Sequence, residues 1–400
     1  MHIVTSTDIL LPRTEDMGAW SVIACDQFTS EPEYWAAAEE RAAEKPSTLS
    51  LMLPEAWLHT ARADGADGRI AGTMRRYLAE DVFQTVPDSF IYVERTLPDG
   101  RIRRGLVAAL DLEQYDFTGT QRTSVRSTEG TVEERLPPRV NIRRGAPLEM
   151  PHTLLLMDDR TDSVLSLAEK AKDTLEKVYD FDLMLGGGHI AGWRVSGETK
   201  AAVQSALDAL DNAALQREKY GDAAENGKLT FAVGDGNHSL AAAKRFWEEK
   251  RETLPENERE TDPARFALVE IENIHEPSLD FEPIHRVIFD TDTSAFAAEF
   301  TAHRTEWEAK EKTLGERVAA AESFCRAYIA AHGGYIDYIH GDDTARSLGE
   351  KPNCAAVLLP PVEKSGLFLS VLKYGALPKK SFSMGNARDK RYYLECRKIR

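Results

Sequence analysis

The segment richest in chemistry is Val233-Gly234-Asp235-Gly236-Asn237-His238-Ser239-Leu240, which follows a β-like run and opens a helical one. Two glycines permit positive φ and let a ligand come close to the backbone. The first turn of a helix presents N–H groups that lack intrahelical acceptors, at the positive end of the helix dipole, and this suits a phosphate. Gly236, Asn237, His238 and Ser239 therefore form a candidate donor-phosphate seat. Asp235 would repel a bare phosphate, but it suits a divalent cation, Mg²⁺ or Mn²⁺, that bridges carboxylate and phosphate. The plainer alternative is a helix cap with Asp235 bonded to local amides.

A second cluster runs through Arg126-Ser127-Thr128-Glu129-Gly130-Thr131, Glu134-Arg135-Leu136-Pro137-Pro138-Arg139 and Arg143-Arg144. Glu129 is a candidate base for a hydroxyl proton, given a pocket that raises its pKa. Arg126, Arg135, Arg139 and Arg143 are of the type that clamps phosphate oxygens. Read plainly, the same stretch is a solvated loop of salt bridges. From Lys379 to Arg400 eight basic residues face two acidic ones, Asp389 and Glu395. This is either a local anion patch containing Lys379, Lys380 and Ser381 or an edge strand guarded by cations. Cys25-Asp26-Gln27-Phe28 follows an apolar run and could line a pocket, with Asp26 and Gln27 as contacts. His285 and Arg286, in Glu282-Pro283-Ile284-His285-Arg286, suit a carboxylate or phosphate. Pro151-His152 and Gly186-Gly187-Gly188-His189 read as a turn and a loop.

These residues need a scaffold, and the composition permits a large one. The chain has 400 residues, 42% hydrophobic and 29% charged, as in an ordinary globular protein. A net charge of −16 opposes nucleic acid at long range. No apolar run reaches the roughly 18 residues that span a bilayer, and the N-terminal residues lack a secretory pattern. Four scattered cysteines, Cys25, Cys325, Cys354 and Cys396, form no CxxC pair, so reduced thiols in a cytoplasmic protein are expected. There is no P-loop, nucleophile elbow, HExxH or protein-kinase series.

No repeat with a period of 20–50 residues appears. Helices are expected over Glu33 to Lys45, Val164 to Tyr179, Lys200 to Leu215, Ser239 to Lys250, Ser294 to Phe300 and Arg317 to His332. Strands are expected at Phe90 to Val93, Leu106 to Leu110, Thr153 to Met157, Lys228 to Val233, Tyr335 to Ile339, Ala355 to Leu359, Leu367 to Leu372 and Tyr392 to Glu395. The fold class is α+β or mixed α/β. Two regions are expected, 1–290 with the catalytic residues and 291–400 as a C-terminal α/β lobe packed on it.

With these motifs in hand, the whole chain resembles domain-of-unknown-function family 1015, in its branch with a Cys-Asp-Gln-Phe-Thr start. The resemblance is carried by Cys25 to Thr29, Ser127 to Thr131, Glu134 to Arg139, Gly234 to Ser239, Phe281 to Arg286 and Lys379 to Gly385. It implies a ParB/sulfiredoxin-like core related to kinases that phosphorylate free L-serine. Thr128-Glu129 stands where those kinases carry a His-Glu segment with the Glu as base. Asp235-Gly236-Asn237-His238-Ser239 stands for their Asp-Gly-His-His-Arg turn, with Asn237 in place of the first His and Ser239 in place of Arg. Losing that Arg removes a fixed positive charge from the donor site.

The branch implies inorganic pyrophosphate as donor and serine as acceptor. The implied roles are Glu129 as base, Mg²⁺ on Asp235, His238 donating to the leaving phosphate, and His285 with Arg286 on the serine carboxylate. Arg135, Arg139, Arg143, Lys379, Lys380 and Ser381 would hold the donor. The alternatives are an ADP- or ATP-dependent kinase of the same fold, the same chemistry run toward water as a phosphoserine phosphatase, and a ParB-like regulator that binds a nucleotide or nucleic acid.

Overall fold

Residues 2–119, 122–150, 152–305 and 313–400 are described by a computed structural model. The apolar runs around Phe90 and Leu106 form two long antiparallel strands, Phe83–Thr96 and Ile102–Asp111, with Ile91 opposite Val107. Gly100 turns the chain between them at φ +86°. Side chains of a strand alternate between faces, and here both faces are buried. Phe90, Tyr92, Leu106 and Ala108 enter one core, and Ile91, Val93 and Val107 enter another.

These strands belong to an 11-stranded mixed sheet. Its main path runs Glu176–Asp182, His189–Val195, Phe83–Thr96, Ile102–Asp111, Phe266–Asn273, Leu154–Met157, Phe231–Asp235, Val125–Ser127 and Tyr115–Asp116. Most neighbours are antiparallel. Phe266–Asn273 with Leu154–Met157, Phe231–Asp235 with Val125–Ser127, and Val125–Ser127 with Tyr115–Asp116 are parallel. The architecture is mixed α/β, as expected. Helix Asn237–Thr253 buries Leu240, Ala241, Ala243, Phe246 and Trp247.

Three expected elements change. Val164 to Tyr179 splits into helix Leu165–Ala171 and strand Glu176–Asp182. Pairing with His189–Val195 through the Gly186–Gly188 turn overrides the helical spacing. Lys200 to Leu215 becomes two helices, Gly197–Ala209 and Ala213–Tyr220, because the Asn212 side chain caps the second. Leu367 to Leu372 is a helix rather than a strand, extending to Tyr374 and ended by Gly375 at φ +79°. A short apolar run has no decisive period; Leu367, Phe368, Val371 and Leu372 share one helical face, and all are buried.

By packing, the chain forms two compact units that differ from a single cut at residue 290. The first holds Met1–Ser127, Thr131–Ser278 and Asn386–Arg400, and thus the large sheet. The second holds Thr128–Gly130 and Leu279–Gly385. In the second unit, strand Phe281–Phe289 pairs with Tyr335–His340, Ala355–Val357 and Phe382–Met384, all antiparallel. Helix Leu314–His332 starts with a Thr313–Glu316 capping box and buries Val318, Ala321, Phe324, Cys325 and Tyr328. Among the described residues no helix is long and apolar enough to cross a membrane.

Candidate functional site

In the first unit the strand Phe231–Asp235 runs into helix Asn237–Thr253 through Gly236, which caps the helix at φ +79°. A Cβ there would meet the Cα of Thr153 at 2.8 Å, so the turn demands glycine on two counts. Asp235 accepts from the Gly236 N–H at 3.0 Å, and its second oxygen lies 3.4 Å from the Lys390 ammonium. The Lys390 side chain is 11% exposed. Its backbone is held by Arg95, whose guanidinium donates to the carbonyls of Arg388, Asp389 and Lys390, with Arg103 adding a bond to the Asp389 carbonyl. Asn237 Oδ1 is buried without a hydrogen-bond partner. His238 Nε2 accepts from the Val132 N–H at 3.2 Å. A proton given by His238 to a phosphate must therefore come from Nδ1.

His152 sits beside this turn, in a place where the sequence suggested only a bend; Pro151 lies outside the described residues. Its Nδ1 is 2.7 Å from the Tyr393 hydroxyl, and its Nε2 is 3.5 Å from Ser239 Oγ and 3.9 Å from Asp26 Oδ2. Tyr393 donates to Cys25 Sγ at 3.2 Å, and Gln27 donates to Asp26 at 3.0 Å. Burial pushes the Asp26 carboxyl up, but His152 in its imidazolium form, with Gln27 and Lys390, holds it below the usual range. Burial, reinforced by the Asp26 charge, pushes the Cys25 thiol up to about 11, so it is no nucleophile at neutral pH. Cys25, His152, Ser239 and Tyr393 help line a mainly apolar cavity of about 170 Å³ with Leu51 and Met74.

Three of the four arginines expected as clamps make bonds within this unit. Arg139 pairs with Glu55, and Arg143 lies 2.6 Å from Glu149, which also holds Arg397 at 2.7 Å. Arg135 is exposed, and its carbonyl accepts from Arg139 at 2.8 Å. Arg126 donates to the carbonyls of Thr123, Asn226 and Lys228. Of the eight basic residues of the C-terminal stretch, Lys390, Arg391 and Arg397 are buried, and Lys379, Lys380, Arg388, Lys398 and Arg400 are exposed. Arg391 lies 2.5 Å from both Glu270 and Glu395, and Tyr392–Tyr393 pairs with Val22–Ile23. The buried Arg391 and Arg397 take Glu270 and Glu149, both distant in sequence, as partners.

The remaining candidates lie in the second unit. The Glu129 carboxylate accepts from the Ser381 N–H at 2.9 Å and the Lys380 N–H at 3.3 Å, with Lys380 at φ +60°. This is an anion-binding nest of backbone amides, and Glu129 itself fills it. Burial raises the Glu129 carboxyl above its usual range against the pull of those amides. Ser381 Oγ donates to the Pro378 carbonyl at 2.6 Å, while the Lys379 and Lys380 side chains are exposed. His285 is buried; its Nδ1 accepts from the Leu359 N–H at 3.1 Å, and Nε2 donates to Asp342 at 2.9 Å. Burial pushes its pKa down. Arg286 is buried over the Tyr338 ring, with Nε 3.4 Å from Glu322. A carboxylate would have to displace Asp342 or the Leu359 N–H to reach His285, whereas Arg286 keeps a buried Nη2 without a hydrogen-bond partner.

Comparison with known proteins assigns the family. The family described as "Protein of unknown function (DUF1015)" matches residues 7–398. The chain belongs to the DUF1015 family. No curated protein matches it by sequence. Among solved structures, this DUF1015 chain is similar to a free serine kinase in complex with AMP, with 9% identity and a TM-score of 0.35 over 72% of this chain and 90% of the other. It is also similar to a conserved hypothetical protein from Pyrococcus furiosus, with 9% identity and a TM-score of 0.33 over 73% of this chain and 95% of the other.

The donor set of this DUF1015 protein bears on the expected cation. Among the described residues no three His, Cys, Asp or Glu side chains converge as a metal cage. Mg²⁺ that arrives with a phosphate needs only one or two carboxylates and keeps several waters. Asp235 fits that requirement, and Lys390 is the cation that holds its charge beforehand.

Proposed function

We propose that this protein is a small-molecule phosphotransferase that moves a phosphoryl group from inorganic pyrophosphate to the hydroxyl of free L-serine. The observation that carries the reading is the turn at Gly236, where the N-terminus of helix Asn237–Thr253 opens beside the Asp235 carboxylate and the Lys390 ammonium lies 3.4 Å from that carboxylate. Pyrophosphate has neither base nor ribose, so amide donors, a cation and a metal-binding carboxylate are what such a donor asks of a site.

Phosphoryl transfer needs chiefly positioning and charge stabilisation from the protein. The first amides of Asn237–Thr253 would hold the terminal oxygens, and Lys390 would offset their charge. Asp235 would hold Mg²⁺, which when bound neutralises charge on the donor oxygens. His238, through Nδ1, would donate to the departing phosphate. Glu129 is proposed, on its chemistry, as the group that takes the acceptor's proton.

A ³¹P NMR time course with L-serine, Mg²⁺ and pyrophosphate, ADP or ATP in parallel tubes tests this. A phosphomonoester signal with pyrophosphate alone is expected. The same signal only with a nucleotide would replace the donor, and silence from folded protein in every tube would overturn the reading.

A further inference from the structure

We propose that Ser239 is a nucleophile that carries the phosphoryl group on its own Oγ before the acceptor receives it, with His152 as its base. The inference rests on the pyrophosphate reading above and adds a covalent intermediate to it. Its basis is the relay in the first unit. The Tyr393 hydroxyl donates to Cys25 Sγ at 3.2 Å, so toward His152 Nδ1, at 2.7 Å, it acts as acceptor. Nδ1 then carries the ring proton, an assignment made from this bonding pattern. Nε2 is left with its lone pair, 3.5 Å from Ser239 Oγ. A nucleophile, its base and an orienting group stand in line, at the looser spacing usual without substrate.

The setting favours the chemistry. Ser239 is the third residue of helix Asn237–Thr253, and helical Cα–Cβ bonds tilt toward the N-terminus, so its hydroxyl is carried toward the phosphate seat. Asp26 Oδ2, 3.9 Å from Nε2, stabilises the imidazolium once the proton arrives. The His152 side chain is 4% exposed, so water competes little for that proton.

In the first step His152 Nε2 takes the Ser239 hydroxyl proton and Oγ bonds to one phosphorus of pyrophosphate. The bond from that phosphorus to the bridging oxygen breaks, and orthophosphate leaves with the electron pair. In the second step the acceptor hydroxyl attacks the phosphoserine phosphorus. The acceptor's proton passes to the base proposed above, the bond from phosphorus to Oγ breaks, and His152 returns the proton it holds to Ser239 Oγ.

The test uses the full chain with Mg²⁺ and pyrophosphate and no acceptor. The expected results are a mass gain of one phosphoryl group, mapped to Ser239, and exchange of labelled orthophosphate into pyrophosphate. Ser239→Ala and His152→Asn should lose both signals while calorimetry still shows pyrophosphate binding, and Ser239→Ala should lower turnover about 100-fold or more. Wild-type protein that binds pyrophosphate with neither mass gain nor exchange would overturn the intermediate and leave the donor reading intact. Ser239→Ala at wild-type turnover would also overturn it. Absence of pyrophosphate binding would overturn the donor reading and the intermediate together. If His152→Asn fails to fold, the wild-type exchange and Ser239→Ala still decide.

Discussion

Gly236 and Thr153 approach so closely that a Cβ on residue 236 would lie 2.8 Å from the Thr153 Cα and 2.9 Å from its hydroxyl oxygen. The two residues sit at the ends of neighbouring strands, and Leu154 is registered against Asp235. The turn that presents Asp235 and the first helical amides is thus set by the strand beside it. Gly236→Ala should lose about 2 kcal/mol or more of stability from left-handed strain and backbone crowding. Urea denaturation measures that loss, and calorimetry should show weaker pyrophosphate binding by the fraction that still folds.

The buried ions behind the site make a second prediction. Arg391 touches Glu270 and Glu395, and all three side chains are nearly inaccessible. Arg391→Met leaves two buried carboxylates unmatched and should cost about 3–5 kcal/mol. Adding Glu270→Gln to that variant should restore part of the loss. A double variant no more stable than Arg391→Met would mean that Glu270 is matched by other cations.

Glu272 predicts a pH effect. Arg103 Nε lies 2.8 Å from its Oε1, yet neither carboxylate oxygen receives a hydrogen bond, so the contact is close but misaligned. Burial, with repulsion from Glu270 added, pushes its pKa up to about 7 against the pull of Arg103. The folded state therefore binds this proton more tightly than the unfolded chain. The stabilisation is fully present below the ordinary carboxylate pKa and is lost as pH rises toward and through 7. Denaturation midpoints between pH 5 and 8 should fall less steeply in Glu272→Gln than in wild type, and equal slopes would assign the effect elsewhere.

Cys25 lies beside the proposed relay, yet its thiol stays protonated at neutral pH because burial pushes it up to about 11. Iodoacetamide at pH 8 should label it far more slowly than a model thiol, as followed by peptide mass spectrometry. Rapid labelling of native protein would contradict the burial of that sulfur.

For Glu129 the sign is again set by burial, which raises its carboxyl. As a base it works deprotonated, so the acid limb of kcat should lie above the usual carboxylate range. Glu129→Gln should lower kcat about 10²–10⁴-fold and abolish that limb while pyrophosphate binding persists. An unchanged limb in the variant would assign the acid group elsewhere.

Much of this was legible locally. The glycine-framed turn between a β run and a helical run placed Asp235 to Ser239 correctly, because strand, turn and cap signals are short-range. The Pro98-Asp99-Gly100 hairpin was legible for the same reason. Leu367 to Leu372 was not, since six apolar residues carry no period that separates strand from helix.

Local residue order was enough for the mixed α/β class, the family and the position of the glycine turn between strand and helix at Asp235 to Ser239. Tertiary structure alone decided which cations stand beside it. Arg139 and Arg143, adjacent in sequence to the Glu129 motif, pair with Glu55 and Glu149, whereas Lys390 reaches Asp235 because Arg95 holds the carbonyls around it. The same is true of His152, which gains meaning only from Tyr393, Ser239 and Asp26. The physical reason is common to both cases. A buried charge or ring nitrogen takes its partner from whatever the fold brings within a few ångströms, and in a sheet ordered this far out of sequence those partners come from remote segments.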